Sequence, residues 1–461
     1  MKRSPTDVDP VSRRLAEVLA GTRFGDLPAA VLVDTHRAIL DWLGSALAGS
    51  METPARLARQ VVAKLGESQD ATVFSGLRSS AAGAALANGV ASHVLELDDV
   101  HKGSTLHPAA PIIPAALAVA EREHADGQTF LLAVALGYEA ALRIGEAVNP
   151  DHYRFWHPTG TAATFGAAVA AGTILGLDAK RMLDALGTAG TQAAGLWEFN
   201  ADGAMSKHLH PGKAAFNGVV AADLAAAGFT GATRILEGDR GFFRATAQTF
   251  DASRITDGLG TRWKISENCY KMHSCCGHTH SAIDIALDLR PGAKGASISG
   301  IRIETYGPGH KIVREGNPSS PYRAQFSIAY CVATALVEGQ VGLDQFTADR
   351  FDAAGVRDPS IAYLLKQTRV SVAEDLTAKY PAAWPARITI ELGDGRSLRG
   401  AADFPRGNPE NPVTTEALEA KFTGLVAPRC GPEVARRGIE LVRSLDSCAN
   451  MSTHFGDLHE T

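Results

Sequence analysis

The sequence predicts a mostly α-helical fold, a large all-helical domain interrupted by a smaller α+β domain. Three observations carry that prediction. From about Val11 to Gly258 the chain is alanine-rich, with apolar residues recurring at helical spacing. Near Ala293 the pattern changes to a period of two. After the proline-rich run Pro405–Pro412 (PRGNPENP) the helical pattern returns. The expected division is 1–268 for the helical domain, completed by 406–461, and 269–405 for the α+β domain.

Each element has its own signal. Leu32, Thr35, Ile39, Trp42, Leu43 and Ala46 form one apolar stripe at helical spacing. Leu131–Val148 and Ala162–Leu175 are rich in small residues and apolar nearly all round, which predicts helices buried among other helices. Asp178 stands ahead of the helical run around Met182–Ala189, and Gly172, Gly176 and Gly187 sit where turns or close contacts are tolerated. In the second domain Ile298, Gly300, Arg302 and Glu304 alternate with Ser299, Ile301, Ile303 and Thr305. Thr368–Val372 and Ile388–Leu392 read as further strands, the latter entering the hairpin signal Gly393-Asp394-Gly395. Thr414–Phe422 and Pro432–Ser444 are helical again.

Composition narrows the class. Of 461 residues, 45% are hydrophobic and 21% charged, ample for a large core. Forty-five Lys+Arg against 50 Asp+Glu give a net charge of -5. With no basic patch interleaved with aromatics, no nucleic-acid partner is expected. The polar start MKRSPTDVDP has no apolar stretch behind it, so no signal peptide is expected. The most apolar windows, such as Ala109–Ala120, are too short to span a bilayer, so no membrane partner is expected either. Six cysteines in so long a chain, two of them adjacent at Cys275 and Cys276, do not make a disulfide framework, and a reducing cytoplasm is the expected compartment.

Four stretches concentrate His, Asp, Lys and Tyr beside Gly and Pro. The first runs from His93 through Glu96, Asp98, Asp99 and His101 to His107-Pro108. Adjacent aspartates on an apolar run need hydrogen bonds or a partner when buried. They read as a cap for a helix at Ala109, as part of a solvated loop, or as a paired-carboxylate acid/base site. The second, Asp151–Thr161, holds Tyr153 and His157 ahead of Thr159-Gly160-Thr161, whose free N–H groups suit a carboxylate or a simple N-cap. The third, Asp202–Ala215, holds Lys207, which enters a small-residue helix where an apolar interior lowers proton affinity; pairing with a substrate carboxylate or with Asp98, and a solvated surface lysine, are the alternatives. The fourth, Cys269–His280, holds Lys271, His273, Cys275, Cys276, His278 and His280. It suggests zinc at first, but no second half-site follows and His278 and His280 are two apart, so no metal is expected there. No dinucleotide fingerprint, P-loop or G-x-S-x-G elbow is present.

Taken in order, these stretches resemble the MmgE/PrpD family, whose activities include 2-methylcitrate dehydration, cis-aconitate decarboxylation and iminodisuccinate epimerisation. The match runs through Ala71-Thr-Val-Phe74, Ala85–Gly89, Leu97-Asp98-Asp99, His107-Pro108 and Gly137-Tyr-Glu139. It continues through His157–Thr161, Ser206-Lys207 with Leu209-His210-Pro-Gly, Lys271–His280 and the proline-rich linker. The resemblance implies an α+β lid on the helical domain, a site in the cleft between them, a homodimer and no cofactor. It puts substrate-site positions on Asp98, Asp99, His107, His157, Lys207, Lys271 and His280. Tyr330 falls on the tyrosine of the segment that opens the lid helix, and Tyr153 falls where epimerising members carry a tyrosine opposite the lysine. Against the animal decarboxylating pattern, Glu96 replaces an aspartate, Val100 a threonine and Cys276 a histidine, which argues against cis-aconitate decarboxylation itself.

These reactions share a carbanion or enolate-like intermediate, so each needs cations for carboxylates and a base beside the carbon. The expected catalytic set is Asp98, His107, Tyr153, His157 and Lys207, with Asp99, Lys271, Cys276, His280 and Tyr330 binding a small di- or tricarboxylate. The expected reaction is dehydration of a 2-methylcitrate- or citrate-like polycarboxylate. Epimerisation of a substituted dicarboxylate, cis-aconitate-type decarboxylation, and a non-enzymatic metal- or ligand-binding role are the alternatives.

Overall fold

The computed structural model describes residues 10–66, 68–74 and 76–459, so all but the last residue of the polar start MKRSPTDVDP lie outside the described residues. Among the described residues no helix is long and apolar enough to cross a membrane. The chain forms two compact units. The first comprises Met1–Val94, Asp98–Asn268 and Thr414–Thr461, the second Leu95–Leu97 and Cys269–Val413.

Six helices frame the first unit: α1 (Ala29–Gly49), α2 (Ala81–His93), α3 (Ala109–Arg122), α4 (Gly127–Val148), α5 (Ala162–Ile174) and α6 (Ser206–Ala226). Alanine and glycine dominate their contacts because the axes approach closely. A Cβ on Gly166 of α5 would lie 2.6 Å from the carbonyl oxygen of Gly137 on α4. Likewise a Cβ on Gly89 of α2 would lie 2.7 Å from Cα of Gly212 on α6. That second crossing brings the C-terminus of α2, ending at His93, toward the first turns of α6, which carry Lys207, His208 and His210. Asp178 caps its helix, Ala179–Gly190, by accepting from the Arg181 N–H at 2.8 Å. The closing helix Thr415–Cys430 is tied to α1 by Lys421, whose Nζ lies 2.6 Å from the buried Asp41 carboxylate.

The described residues of the first unit also include a short strand pair that the all-helical expectation did not contain. Ala71–Val73 pairs antiparallel with Leu77–Ser79. Three residues a side are too few for a period of two to register in the sequence.

The second unit is built on a four-stranded sheet of β1 (Ile298–Thr305), β2 (Thr368–Val372), β3 (Ala386–Leu392) and β4 (Ser397–Ala402), in the order β2-β1-β3-β4. β1 is parallel to β2 and antiparallel to β3, and Gly393–Arg396 turns β3 back into β4. Ile301 and Ile303 of β1 and Ile388 and Ile390 of β3 join one apolar core with α7 (His280–Ala293) and α8 (Ile328–Glu338). The unit extends through Val413 rather than ending at 405. The Tyr270 N–H donates to the Gly407 carbonyl and the Gly407 N–H to the Asn411 carbonyl, each at 2.9 Å, so the proline-rich run is bound into it.

Candidate active site

The chain leaves α2 at His93 and returns to helix at Ala109, and the intervening run is almost wholly buried. Asp98, with no exposure, accepts from His93 Nδ1 at 2.7 Å and lies 3.6 Å from His107 Nδ1. His107 Nδ1 is also 2.6 Å from the Asp99 carbonyl oxygen. A carboxylate and a carbonyl can only accept, so both rings carry a proton on Nδ1 and a lone pair on Nε2 when neutral. Nε2 of His93 is buried and makes no hydrogen bond among the described residues. The two rings lie 4.9 Å apart.

The adjacent carboxylates have separate surroundings. Asp99 Oδ1 accepts from the Ala109 N–H at 3.0 Å, capping α3 at long range. Its Oδ2 accepts from the Tyr138 hydroxyl at 2.6 Å and from Asn268 at 2.7 Å. Burial pushes its pKa up to about 7 against the opposing pull of the Tyr138 hydroxyl. Asp99 therefore fastens α3 and α4 to the acidic run.

His157 stacks on His93 at 5.7 Å and lies 6.2 Å from His107, with Trp197 at 5.0 Å and Phe199 at 5.8 Å closing its other sides. Burial holds the proton affinity of His157 well below the usual histidine range, and the charges of His210, His93, Lys207 and His107 lower it further. His208 lies edge-on to His93 at 6.2 Å, and Lys207 is buried in the first turn of α6. The Thr159 hydroxyl accepts from the His107 N–H at 3.1 Å, while Thr161, which precedes α5, makes no side-chain cap. Tyr153 is half-buried, its ring edge-on to Trp197 at 4.9 Å. The structure thus brings Asp98, His107, His157 and Lys207 into one buried group.

The remaining expected residues lie in the second unit. Lys271 Nζ is 3.2 Å from Glu96 Oε2 and 3.1 Å from the Glu96 carbonyl oxygen, with both side chains 2% exposed. Glu96 has φ +56, in the left-handed region that non-glycine residues rarely occupy. His280 Nε2 lies 3.3 Å from the Cys275 carbonyl, and its ring is 5.1 Å from His273, which bonds Asp284 at 3.0 Å. Cys276 is buried, its N–H donating to the Gln325 carbonyl at 3.0 Å. The Tyr330 hydroxyl donates to the Gln345 carbonyl, and burial raises its pKa to about 12, so this side chain is a core strut of α8.

Among the described residues two groups of side chains have the composition of metal ligands, His93/Asp98/His107 and His101/Glu146/Glu267. In the first, the Nδ1 lone pair of His107 is taken by the proton it gives to the Asp99 carbonyl. In the second, Lys264 Nζ lies 2.9 Å from both carboxylates and already supplies the cation. The Cys269–His280 stretch forms no such three-ligand group among the described residues.

Sequence reasoning missed His93 as the bonded partner of Asp98, and missed His208, His210 and Trp197 as walls of the group. His93 and His210 stood inside the motifs already singled out, and only packing assigns them.

Fold and site together define a mostly helical protein of two units whose first unit buries an imidazole-rich acid–base group. A model of the MmgE/PrpD N-terminal domain matches residues 13–255, and one of the MmgE/PrpD C-terminal domain matches residues 273–447. The chain belongs to the MmgE/PrpD family. It is 28% identical over 469 residues to the cis-aconitate decarboxylase-like protein oryM of Aspergillus oryzae, covering 96% of each chain. It is 28% identical to a cis-aconitate decarboxylase of Aspergillus terreus, over 93% of this chain and 91% of that one. To the cis-aconitate decarboxylase of Homo sapiens it is 26% identical, over 96% and 93%.

Proposed function

We propose that this protein is a lyase that moves a proton at a carbon beside a carboxylate of a small polycarboxylate. The observation that carries the reading is the buried group in which His93, His107 and His157 lie within ring contact of one another, about Asp98 and under the charge of Lys207. The imidazoles can take up protons when anions arrive, and with the Lys207 ammonium they supply counter-charges for a ligand bringing two or three carboxylates. The same positive field stabilises the negative charge that develops when a proton leaves carbon. In this reading Lys207 holds a substrate carboxylate, His157 takes the proton from carbon, and Asp98 orients His93 and His107.

Elimination of water needs one proton taken from carbon and one given to the departing hydroxyl. His157 suits the first transfer and the imidazoles oriented by Asp98 the second, so dehydration of a citrate-like tricarboxylate is the first reading. Loss of carbon dioxide from a cis-aconitate-like substrate is the second, favoured by the relatives that match nearly end to end. The test is incubation with a panel of di- and tricarboxylates in deuterium oxide, read by NMR. A new vinylic signal supports elimination, evolved carbon dioxide supports decarboxylation, and deuterium wash-in with the carbon skeleton unchanged indicates epimerisation. No exchange and no turnover on any carboxylate would reject the reading.

A further inference from the structure

His157 and His210 face each other through their Nδ1 atoms at 3.0 Å. Two ring nitrogens at that distance share one proton, donated by one ring and accepted by the other. Resting on the function proposed above, we propose that His210 is a proton-relay partner of His157. As His157 Nε2 takes a proton from a substrate carbon, the His157 Nδ1 proton passes to His210 Nδ1. The C–H electron pair stays on carbon, one N–H bond forms at each of Nε2 and His210 Nδ1, and the N–H bond at His157 Nδ1 breaks. The positive charge therefore rests on His210 and returns when the intermediate is reprotonated.

Three features favour the relay. The rings are held by the same two short segments. A Cβ on Gly195 would lie 3.3 Å from His210 Nδ1, and one on Gly160 would lie 3.3 Å from His210 Cβ, so two glycines make the space the imidazole fills. The His157 N–H donates to the Gly195 carbonyl at 2.9 Å, and Lys213 Nζ donates to the carbonyls of Ala194 at 2.6 Å and Gly160 at 3.2 Å. Charge is also better tolerated on the half-buried His210 than on the fully buried His157. The basic groups acting on the pair are His93, His107 and Lys207 for His157, and Lys213, His93 and Lys207 for His210. With so many basic neighbours, moving the new charge outward spares His157 from carrying it in the more buried position.

The experiment uses the full-length protein with 15N-labelled histidine. A nitrogen–nitrogen coupling between the two Nδ1 atoms across the shared hydrogen is expected in the wild type and lost in His210→Phe. This readout needs no substrate. On the substrate identified by the panel, His210→Phe should lower kcat by about tenfold with KM within about twofold. His210→Gln, which keeps a hydrogen bond but carries no relay, should fold normally and lose rate to the same extent. Histidine signals without the coupling, or a His210→Gln enzyme with wild-type kcat and pH profile, would overturn the relay. Coupling in a protein that turns over no carboxylate would overturn the proposed function instead.

Discussion

His93 Nδ1 lies 2.7 Å from Asp98 Oδ2, and neither side chain is exposed to solvent. A carboxylate in this position fixes the ring's tautomer and stabilises it when protonated. Asp98→Asn keeps the volume and removes the charge. We expect kcat to fall by at least about 10²-fold, with KM changing far less. A steady-state assay checks it, and a variant with full rate would remove Asp98 from the mechanism.

Lys207 acts differently, because its charge opposes protonation of both His157 and His210. Lys207→Ala should abolish measurable turnover while changing unfolding free energy by no more than about 1 kcal/mol, since lost packing is offset by removing the cost of a buried ammonium. Urea unfolding followed by circular dichroism checks the second half. A variant that fails to fold would make Lys207 structural.

Glu96 and Lys271 form an ion pair with both side chains buried, and removing one partner strands the other charge in a dry interior. Glu96→Gln should cost about 3–5 kcal/mol. The double variant Glu96→Gln/Lys271→Met should recover most of that loss. Chemical denaturation of the single and double variants tests it; equal stability of both would show that the pair contributes nothing.

Burial holds His278 down at a pKa of about 3, with its Nδ1 hydrogen-bonded to the Tyr306 hydroxyl and its ring 4.4 Å from Trp384. The unfolded ring binds its proton below about pH 6.5 and the folded ring only near pH 3. In that window unfolding takes up a proton, so the contribution of His278 is present above pH 6.5 and is lost as pH falls. His278→Phe removes this linkage. Its stability deficit relative to wild type should shrink steadily from pH 7 to pH 4 in urea titrations, and a constant deficit would contradict the assignment.

Much of this was legible in the chain. The alanine-rich stripes located the helices, the alternation at Ile298–Thr305 located β1, and Gly393-Asp394-Gly395 located the turn after β3. The parallel pairing of β1 with β2, 63 residues on from Thr305 to Thr368, was not, because periodicity marks strands but not neighbours. The motifs drew attention to Asp98, His107, His157 and Lys207. They could not divide the labour between Asp98 and Asp99, which depends on Tyr138 and Asn268 reaching one carboxylate and His93 the other. Nor could they foresee Glu96 with Lys271, because the pair joins positions 175 residues apart and its energetics reside in burial.

The central claim is that the imidazole-rich group of the first unit binds a polycarboxylate. Tricarballylate, a tricarboxylate with no hydroxyl to eliminate, offers the most direct measurement, by calorimetric titration in buffers of different ionisation enthalpy. Bound carboxylates raise the proton affinity of His157 and its neighbours, so binding should take up protons, weaken as pH rises from 6 to 8, and disappear in Lys207→Ala. Binding with no proton uptake, or binding that survives Lys207→Ala unchanged, would contradict the account.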